Sequence, residues 1–392
     1  MPAGSTIKAS VFPEQDLSRL PGSMNSEVRA LNRLSLQGLV PMFVAEKQLF
    51  CYRLVRTANE LVSEGLSPRY TIMTLLGLRE LERTGARTPF DANAIYASLA
   101  RDRSWIQGAG DLGLMLWLTA AFAPDRVDDF FRDARLETAP DRYMDARESR
   151  TMELAWLLAG VSHAALARPD KLSEFKNLAD RTYRRLKQNQ GKSGYFGHLG
   201  TTKSVAGLLR GRVGSFADQI YPIYGMSKFA MAFHMDTAST AALDCAKAIC
   251  RAQGEMGQWW WLYDSNSGRV SSEYPVYSVH QQGMAPMGLI AAEEATGHSF
   301  QEPMYKGLRW IYGANELGED MRDLSRNLVW RCIYPRQTHS KYLNVVRSLL
   351  RLPAGTPSTA DLRVLYEDRP YELGWLLYAF GRFGLPEVEP GS

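Results

Sequence analysis

Apolar residues along this chain recur at intervals of three and four or run together in blocks too short to cross a bilayer, and both patterns spell packed helix. Ser67 stands where a helix N-cap belongs, with Pro68 at the first helical position, and the run from Tyr70 to Leu78 carries that helix to a stop near Gly85. Asp91 is placed to cap the next helix. The same spacing predicts helices over 112–122, 152–167, 172–188, 237–252, 285–295 and 372–380, too many for a simple bundle. One region alone reads as strand: 259–264, a turn at 265–268 and 269–277 have the pattern of a hairpin inserted between two helices. Residues 1–22 read as a loose arm and 386–392 as a tail, which leaves 23–385 as one expected domain.

An internal repeat suggests how the helices are arranged. Gln190-Gly-Lys-Ser-Gly194-Tyr-Phe196 and Gln253-Gly-Glu-Met-Gly257-Gln-Trp259 share one form, with starts 63 residues apart, and a looser copy, Asn315-Glu-Leu-Gly318, begins 62 residues later. Such an interval is about one helical hairpin with its loops. The amide can stop the preceding helix, a glycine can supply positive φ at the turn, and the aromatic ring can pack the corner. The expected fold is therefore all-α, an (α/α)6 toroid of helical hairpins with a small β-hairpin insertion near 259–277.

Composition narrows the chemistry. At 45% hydrophobic residues the chain can bury a large core, and a net charge of +4 favours an anionic small molecule or glycan slightly over a neutral one. No block of Lys and Arg suited to a phosphate backbone occurs, so no nucleic-acid partner is expected. Cys51, Cys245, Cys250 and Cys332 form no Cys-x-x-Cys pair and suit a reduced compartment. Residues 1–15 lack a basic segment followed by an apolar one, and no integral membrane segment is expected; the expected location is cytoplasmic.

Two resemblances follow from particular residues. The form Gln253-x-x-x-Gly257-x-Trp259 resembles the QW motif of the squalene-hopene cyclase and prenyltransferase toroids, and Met235-Asp236-Thr237-Ala238 resembles the end of the stretch that carries the proton donor in class II terpene cyclases. The acidic positions of that stretch fall on Phe233, Met235 and Asp236, so Met235 occupies the place of the catalytic acid, and a thioether cannot protonate an alkene. The segments Phe216 to Tyr224, Tyr274 to Gly283 and Trp310 to Gly318 are similar to those of uncharacterised (α/α)-toroid proteins that accompany glycosyltransferases in bacterial exopolysaccharide loci. The first resemblance implies an isoprenoid substrate. The second implies an oligosaccharide and a polysaccharide-synthesis machinery as partners.

The densest chemistry lies in and after the expected hairpin. Trp259, Trp260, Trp261 and Tyr263 offer faces that stack on sugar rings or shield a cation, while Tyr274, Tyr277 and His280 are acid/base candidates that Glu273 could tune. A structural alternative is an aromatic plug with His280 bonded to backbone. His234 and Asp236 converge only if they stand at a helix N-terminus, where Asp236 is the better suited to cap the run 237–252. Asp218, with Tyr221 and Tyr224, can line the same pocket or cap a helix. Hydrolysis would need two carboxylates, for which Asp218, Asp236, Asp264 and Glu273 are the nearest choices.

Other motifs have structural readings. Asp128, Asp129 and Asp133 resemble a magnesium motif, yet they sit in the first turns of a helix, where the dipole favours acids. Gly108-Ala-Gly110-Asp-Leu-Gly113 fits a dinucleotide fingerprint but follows helix instead of strand. No zinc-ligand spacing and no Gly-x-Ser-x-Gly elbow exists, so neither a metal nor a cofactor is expected. The leading reading is a glycan-active lyase, epimerase or hydrolase; a terpene-cyclase-like enzyme and a non-catalytic glycan-binding scaffold are its alternatives.

Overall fold

The computed structural model describes residues 22–58, 60–136, 150–199, 211–336 and 358–387, so the expected arm and tail lie largely outside the described residues. Among these, twelve α-helices follow one another: α1 (Gly22–Gly38), α2 (Pro68–Glu82), α3 (Ala92–Arg101), α4 (Ala109–Phe122), α5 (Val127–Asp133), α6 (Thr151–Ala167), α7 (Leu172–Lys187), α8 (Ala217–Phe233), α9 (Asp236–Arg251), α10 (Ala285–Thr296), α11 (Gln301–Ile311) and α12 (Pro370–Phe380). The even-numbered helices pack side by side in chain order, and α12 closes against α2, with the π-helical turn His280–Met284 leading into α10. The odd-numbered helices lie outside them. This is the expected (α/α)6 toroid.

Burial explains which helices are inner. α4 and α6 are apolar around nearly their whole circumference and bury almost every residue, whereas α7 and α9 bury one stripe and expose the opposite face. Gly113 and Gly160 let α4 and α6 approach closely, since a Cβ on Gly113 would lie 2.4 Å from the Leu157 Cα and one on Gly160 would lie 2.1 Å from the Gly113 carbonyl. The fingerprint-like glycines thus serve helix packing. On the barrel axis, Trp117 of α4 stacks on His163 of α6 at 4.8 Å, Tyr224 of α8 at 4.9 Å and Trp375 of α12 at 5.7 Å. The middle of the ring is filled.

Both expected caps form: Ser67 Oγ accepts from the Tyr70 N–H at 3.2 Å, and Asp91 Oδ1 from the Ala94 N–H at 3.0 Å. Asp236 does not cap. It is the first residue of α9, and Met235 takes the N-cap place without a side-chain bond.

The repeat proves to be a staple between outer helices. Gln190 Nε2 donates to the Gly194 carbonyl at 3.0 Å and to the Ala241 carbonyl of α9 at 2.9 Å. Gln253 Nε2 makes the same pair, to Gly257 at 3.0 Å and to Pro303 of α11 at 2.9 Å. Gly194 and Gly257 have φ of 91° and 94°, and Phe196 and Trp259 are buried at the corners. Each amide ends one outer helix and ties its turn to the first turns of the next.

Strand content exceeds the single hairpin expected. The short strands are β1 (Phe43–Val44), β2 (Leu49–Arg56), β3 (Leu61–Leu66), β4 (Val213–Ser215), β5 (Leu262–Asp264), β6 (Arg269–Ser272), β7 (Val276–Tyr277), β8 (Arg322–Asp323), β9 (Leu328–Val329), β10 (Cys332–Pro335), β11 (Leu362–Leu365) and β12 (Glu367–Asp368), all pairing antiparallel. The expected hairpin is narrower than predicted: β5 and β6 form it, β4 joins β5, and β7 turns away to pair with β10. Asp264 holds its turn, Oδ1 accepting from the N–H groups of Asn266 at 2.8 Å and Ser267 at 3.2 Å.

Replacing Gln253 by Ala removes two part-buried hydrogen bonds and leaves two carbonyls without them. The expected loss is about 1–3 kcal/mol of stability, read as a lowered Tm with unchanged helicity. An unchanged Tm would refute the staple.

Candidate active site

The inner helices all run in the same direction, so their first turns meet at one mouth of the barrel. Each helix N-terminus carries about half a positive charge and unpaired N–H groups, which makes this rim a place for acids and for anions. The opposite end collects cations instead: Lys228 pairs with Glu294 at 2.6 Å, Arg382 with Glu294 at 3.7 Å, and Arg83 with Glu80 at 2.5 Å.

At the mouth, α2, α4 and α6 contribute Arg69, Asp111 and Glu153 from their first turns. Arg69 Nε donates to Asp111 Oδ1 at 2.5 Å, and its Nη2 lies 3.8 Å from Glu153 Oε1. The other oxygen of Asp111 accepts the Gln107 N–H at 2.8 Å. Asp111 is buried and fully occupied, whereas Glu153 and Arg69 keep 22% and 36% of their side-chain surface, so solvent reaches this pair. Gly108 and Gly110 make the space for Glu153, because a Cβ on either would lie 3.0–3.1 Å from its side chain. The glycine spacing that mimics a nucleotide fingerprint here admits a carboxylate.

Next to this group around the rim, where α12 packs on α2, Arg331 bonds Glu372 of α12 and lies 3.5 Å from Glu367, while Arg369 Nε donates to Glu367 at 2.5 Å. Asp368 accepts the N–H groups of Val329 at 3.0 Å and Arg369 at 2.7 Å. Burial pushes the Glu372 carboxyl up to about 7 against the pull of Arg331 and Arg369, with Glu367 adding to the rise. Burial and the charge of Glu372 hold Asp368 well above the usual carboxylate range.

An aromatic cluster lies beside Arg331. Trp261 lies 5.1 Å from Tyr277 and stacks on His280 at 6.3 Å; His280 packs on Phe216 at 4.4 Å, and the Arg331 guanidinium sits 5.0 Å over Tyr277. Burial, reinforced by Arg331, pushes His280 down to about 3, and burial pushes Tyr277 up to about 12. At neutral pH both rings are uncharged. Asp218, in the first turn of α8, accepts from His198 Nδ1 at 3.0 Å and from the Ser215 N–H and hydroxyl at 2.9 Å each. Its buried Oδ1 and the buried amide of Gln282 have no hydrogen-bond partner among the described residues.

The structure thus brings Trp261, Tyr277, His280 and Asp218 to the mouth and disperses the other candidates. Trp259 and Tyr263 are fully buried, and Trp260 donates to the Ala252 carbonyl at 2.7 Å. Tyr274 donates to Glu316 at 3.0 Å, and burial together with that carboxylate pushes its phenol up; the Glu273 carbonyl accepts the Trp261 N–H. Tyr224 lies deeper, bonded to His163 at 2.6 Å and Tyr378 at 2.5 Å. His234 and Asp236 are exposed beyond the C-terminus of α8, roughly 24 Å along that helix from Asp218 at 1.5 Å per residue. Of the three metal-like acids, Asp128 pairs with Arg168 at 2.9 Å and Asp129 with Arg132 at 2.6 Å; among the described residues no group of three His, Cys, Asp or Glu side chains could hold a metal.

Sequence reasoning missed Arg69, Asp111, Glu153, Arg331, Glu367, Asp368, Arg369 and Glu372. A signal existed for three of them: Arg69, Asp111 and Glu153 stand 42 residues apart in succession, one hairpin each.

No protein-family model matches this chain, and no curated protein matches it. Solved structures do. The chain is similar to an unsaturated glucuronyl hydrolase from Streptococcus agalactiae, with TM-score 0.59 at 12% identity over 93% of this chain and 92% of that one. It is also similar to a possible GH105 member from Salmonella enterica, with TM-score 0.58 at 11% identity over 95% and 99%. A third is an unsaturated glucuronyl hydrolase specific for heparin, with TM-score 0.56 at 14% identity over 91% and 96%. At these identities the likeness establishes the toroid fold. Among the described residues no helix is long and apolar enough to cross a membrane.

A carboxyl whose pKa is higher in the folded than in the unfolded chain contributes stability that is fully present below about 4.5 and is lost as pH rises to about 7, the values for Glu372. His280, pushed down, contributes in the opposite sense: its stability is present above 6.5 and lost as pH falls toward about 3. Comparing wild type with Glu372→Gln isolates the first effect. The stability advantage of wild type should shrink as pH is raised from 5 to 7.5, measured by chemical denaturation, and a constant or growing advantage would contradict the assignment.

Proposed function

We propose that this chain is a glycan-active enzyme of hydrolase type that acts on an oligosaccharide bearing an acidic sugar, with Glu153 and Asp111 as its working carboxylates. The observation that carries the reading is the pair itself: two acids on neighbouring inner helices, linked by Arg69, at the solvent-reached mouth of a toroid. Glycosidic hydrolysis commonly uses two carboxyl groups flanking the bond. Glu153, 22% exposed and 3.8 Å from its cation, is the one placed to pass a proton to the leaving oxygen and later to take one from water. Asp111, buried with both oxygens occupied, holds the Arg69 guanidinium beside Glu153 and places fixed negative charge next to positive charge developing at the anomeric carbon.

The substrate class follows from charge. Helix N-termini at the mouth, with the solvent-reached guanidinium of Arg69, favour a carboxylate-bearing ring, and Trp261 with Tyr277 offers faces for stacking. The similar structures include unsaturated glucuronyl hydrolases, which supports the same class. A rim of carboxylates, guanidiniums and amides suits a saccharide better than an isoprenoid, which calls for an apolar, closed cavity. Lyase or epimerase chemistry through Tyr277 and His280 is less well supported, because one group titrates near 12 and the other near 3, both far from neutrality.

Glu153→Gln should lower kcat on uronate-terminated oligosaccharides by roughly 100-fold or more with an unchanged Tm. Retained activity, or a loss of activity matched by a loss of fold, would remove Glu153 from the chemistry.

A further inference from the structure

The hairpin β2–β3 carries a residue that the proposed hydrolytic pair does not use. Tyr52 projects from β2, which pairs with β12 immediately before α12, and it stays 39% exposed, one of the exposed large hydrophobic residues among those described. Its ring stacks on Tyr70 of α2 at 5.4 Å with planes 16° apart, and Tyr70 packs on Tyr371 of α12 at 4.5 Å. One guanidinium locks the set: Arg369 Nη1 donates to the hydroxyls of Tyr52 at 2.9 Å and Tyr70 at 3.0 Å, while its carbon lies 4.4 Å over the Tyr52 ring. Glu367 fixes Arg369 from the other side at 2.5 Å and also holds Arg53 of β2 at 3.0 Å.

This arrangement is costly for a surface tyrosine with no purpose. An exposed phenol ring gains little by being held, whereas here it is oriented by a charged group, a stacked neighbour and a strand pairing. Tyr70 is the neighbour of Arg69 in the first turn of α2, so the stack begins beside the carboxylate pair and runs outward along the rim. A flat, pre-oriented aromatic surface with a cation at its edge fits the apolar face of a pyranose ring carrying a carboxylate.

We propose that Tyr52, Tyr70 and Arg369 form a distal subsite that binds a further acidic sugar ring of the substrate, beyond the rings that meet Asp111 and Glu153, and so sets a preference for longer chains. The proposal rests on the glycan reading above. The hairpin is thus a substrate-recognition element added to the toroid rim, and Tyr52 is a specificity residue with no part in bond cleavage.

The test compares kcat and KM for an acidic tetrasaccharide and for an aryl glucuronide of one ring, in wild type, Tyr52→Ala and Tyr52→Phe. Tyr52→Ala should raise KM for the tetrasaccharide by about fivefold, leave its kcat unchanged and leave the aryl glucuronide unaffected; Tyr52→Phe, which keeps the stacking face, should recover most of the loss. Equal effects on both substrates, or no effect on either, would overturn the subsite while leaving the hydrolase reading intact. A wild type that cleaves neither saccharide, together with a Glu153→Gln variant that binds neither by calorimetric titration, would overturn the glycan reading and this proposal with it.

Discussion

Much of this structure depends on one geometric constraint: the six inner helices point the same way. Their macrodipoles add, so one end of the barrel accumulates partial positive charge and unpaired N–H groups while the other accumulates carbonyls. The residues at the two ends answer that polarity. Asp111, Glu153, Asp218 and Glu372 sit in first turns, Arg83 and Arg382 sit just beyond the ends of α2 and α12, and Lys228 lies in the C-terminal half of α8. The rings of Trp117, Tyr224 and Trp375 fill the axis between the ends.

The rim also shows how burial sets the role of each group. His280 and Tyr277 look alike in sequence as acid/base candidates, yet enclosure drives one far below and the other far above neutrality. Enclosure moves Glu372 in the useful direction, toward 7, although its bond to Arg331 and its complete burial keep it from solvent. Glu153 is the reverse case, a carboxylate left within reach of solvent and loosely held. Reach favours it as the reacting group, and the Glu372 cluster is then the frame that ties β12, α12 and the Arg331 segment together.

The fold was legible where a local rule governs a residue. Caps at Ser67 and Asp91, helix bounds near 112–122 and 152–167, and the interval from Gln190 to Gln253 all follow from short-range chemistry, and the staple bonds give that interval its cause. The candidate site was legible only in part. Trp261, Tyr277 and His280 are close in sequence and meet in space, but Asp111 and Glu153 read as ordinary acids favoured by a helix N-terminus, and nothing local marks them as neighbours. Arg331 and Glu372 are 41 residues apart in chains of short strands whose pairing is set by tertiary contact. His234 and Asp236 follow the C-terminus of α8 and so lie at the end of that helix remote from Asp218.

The account stands or falls on where a saccharide binds. A crystal structure of the Glu153→Gln protein soaked with a uronate-terminated oligosaccharide addresses this directly. The account predicts a ring seated at the inner-helix N-termini, within hydrogen-bond distance of Arg69 and against Trp261 or Tyr277. A sugar bound at the opposite end near Lys228 and His234, or on the outer helices alone, would contradict it.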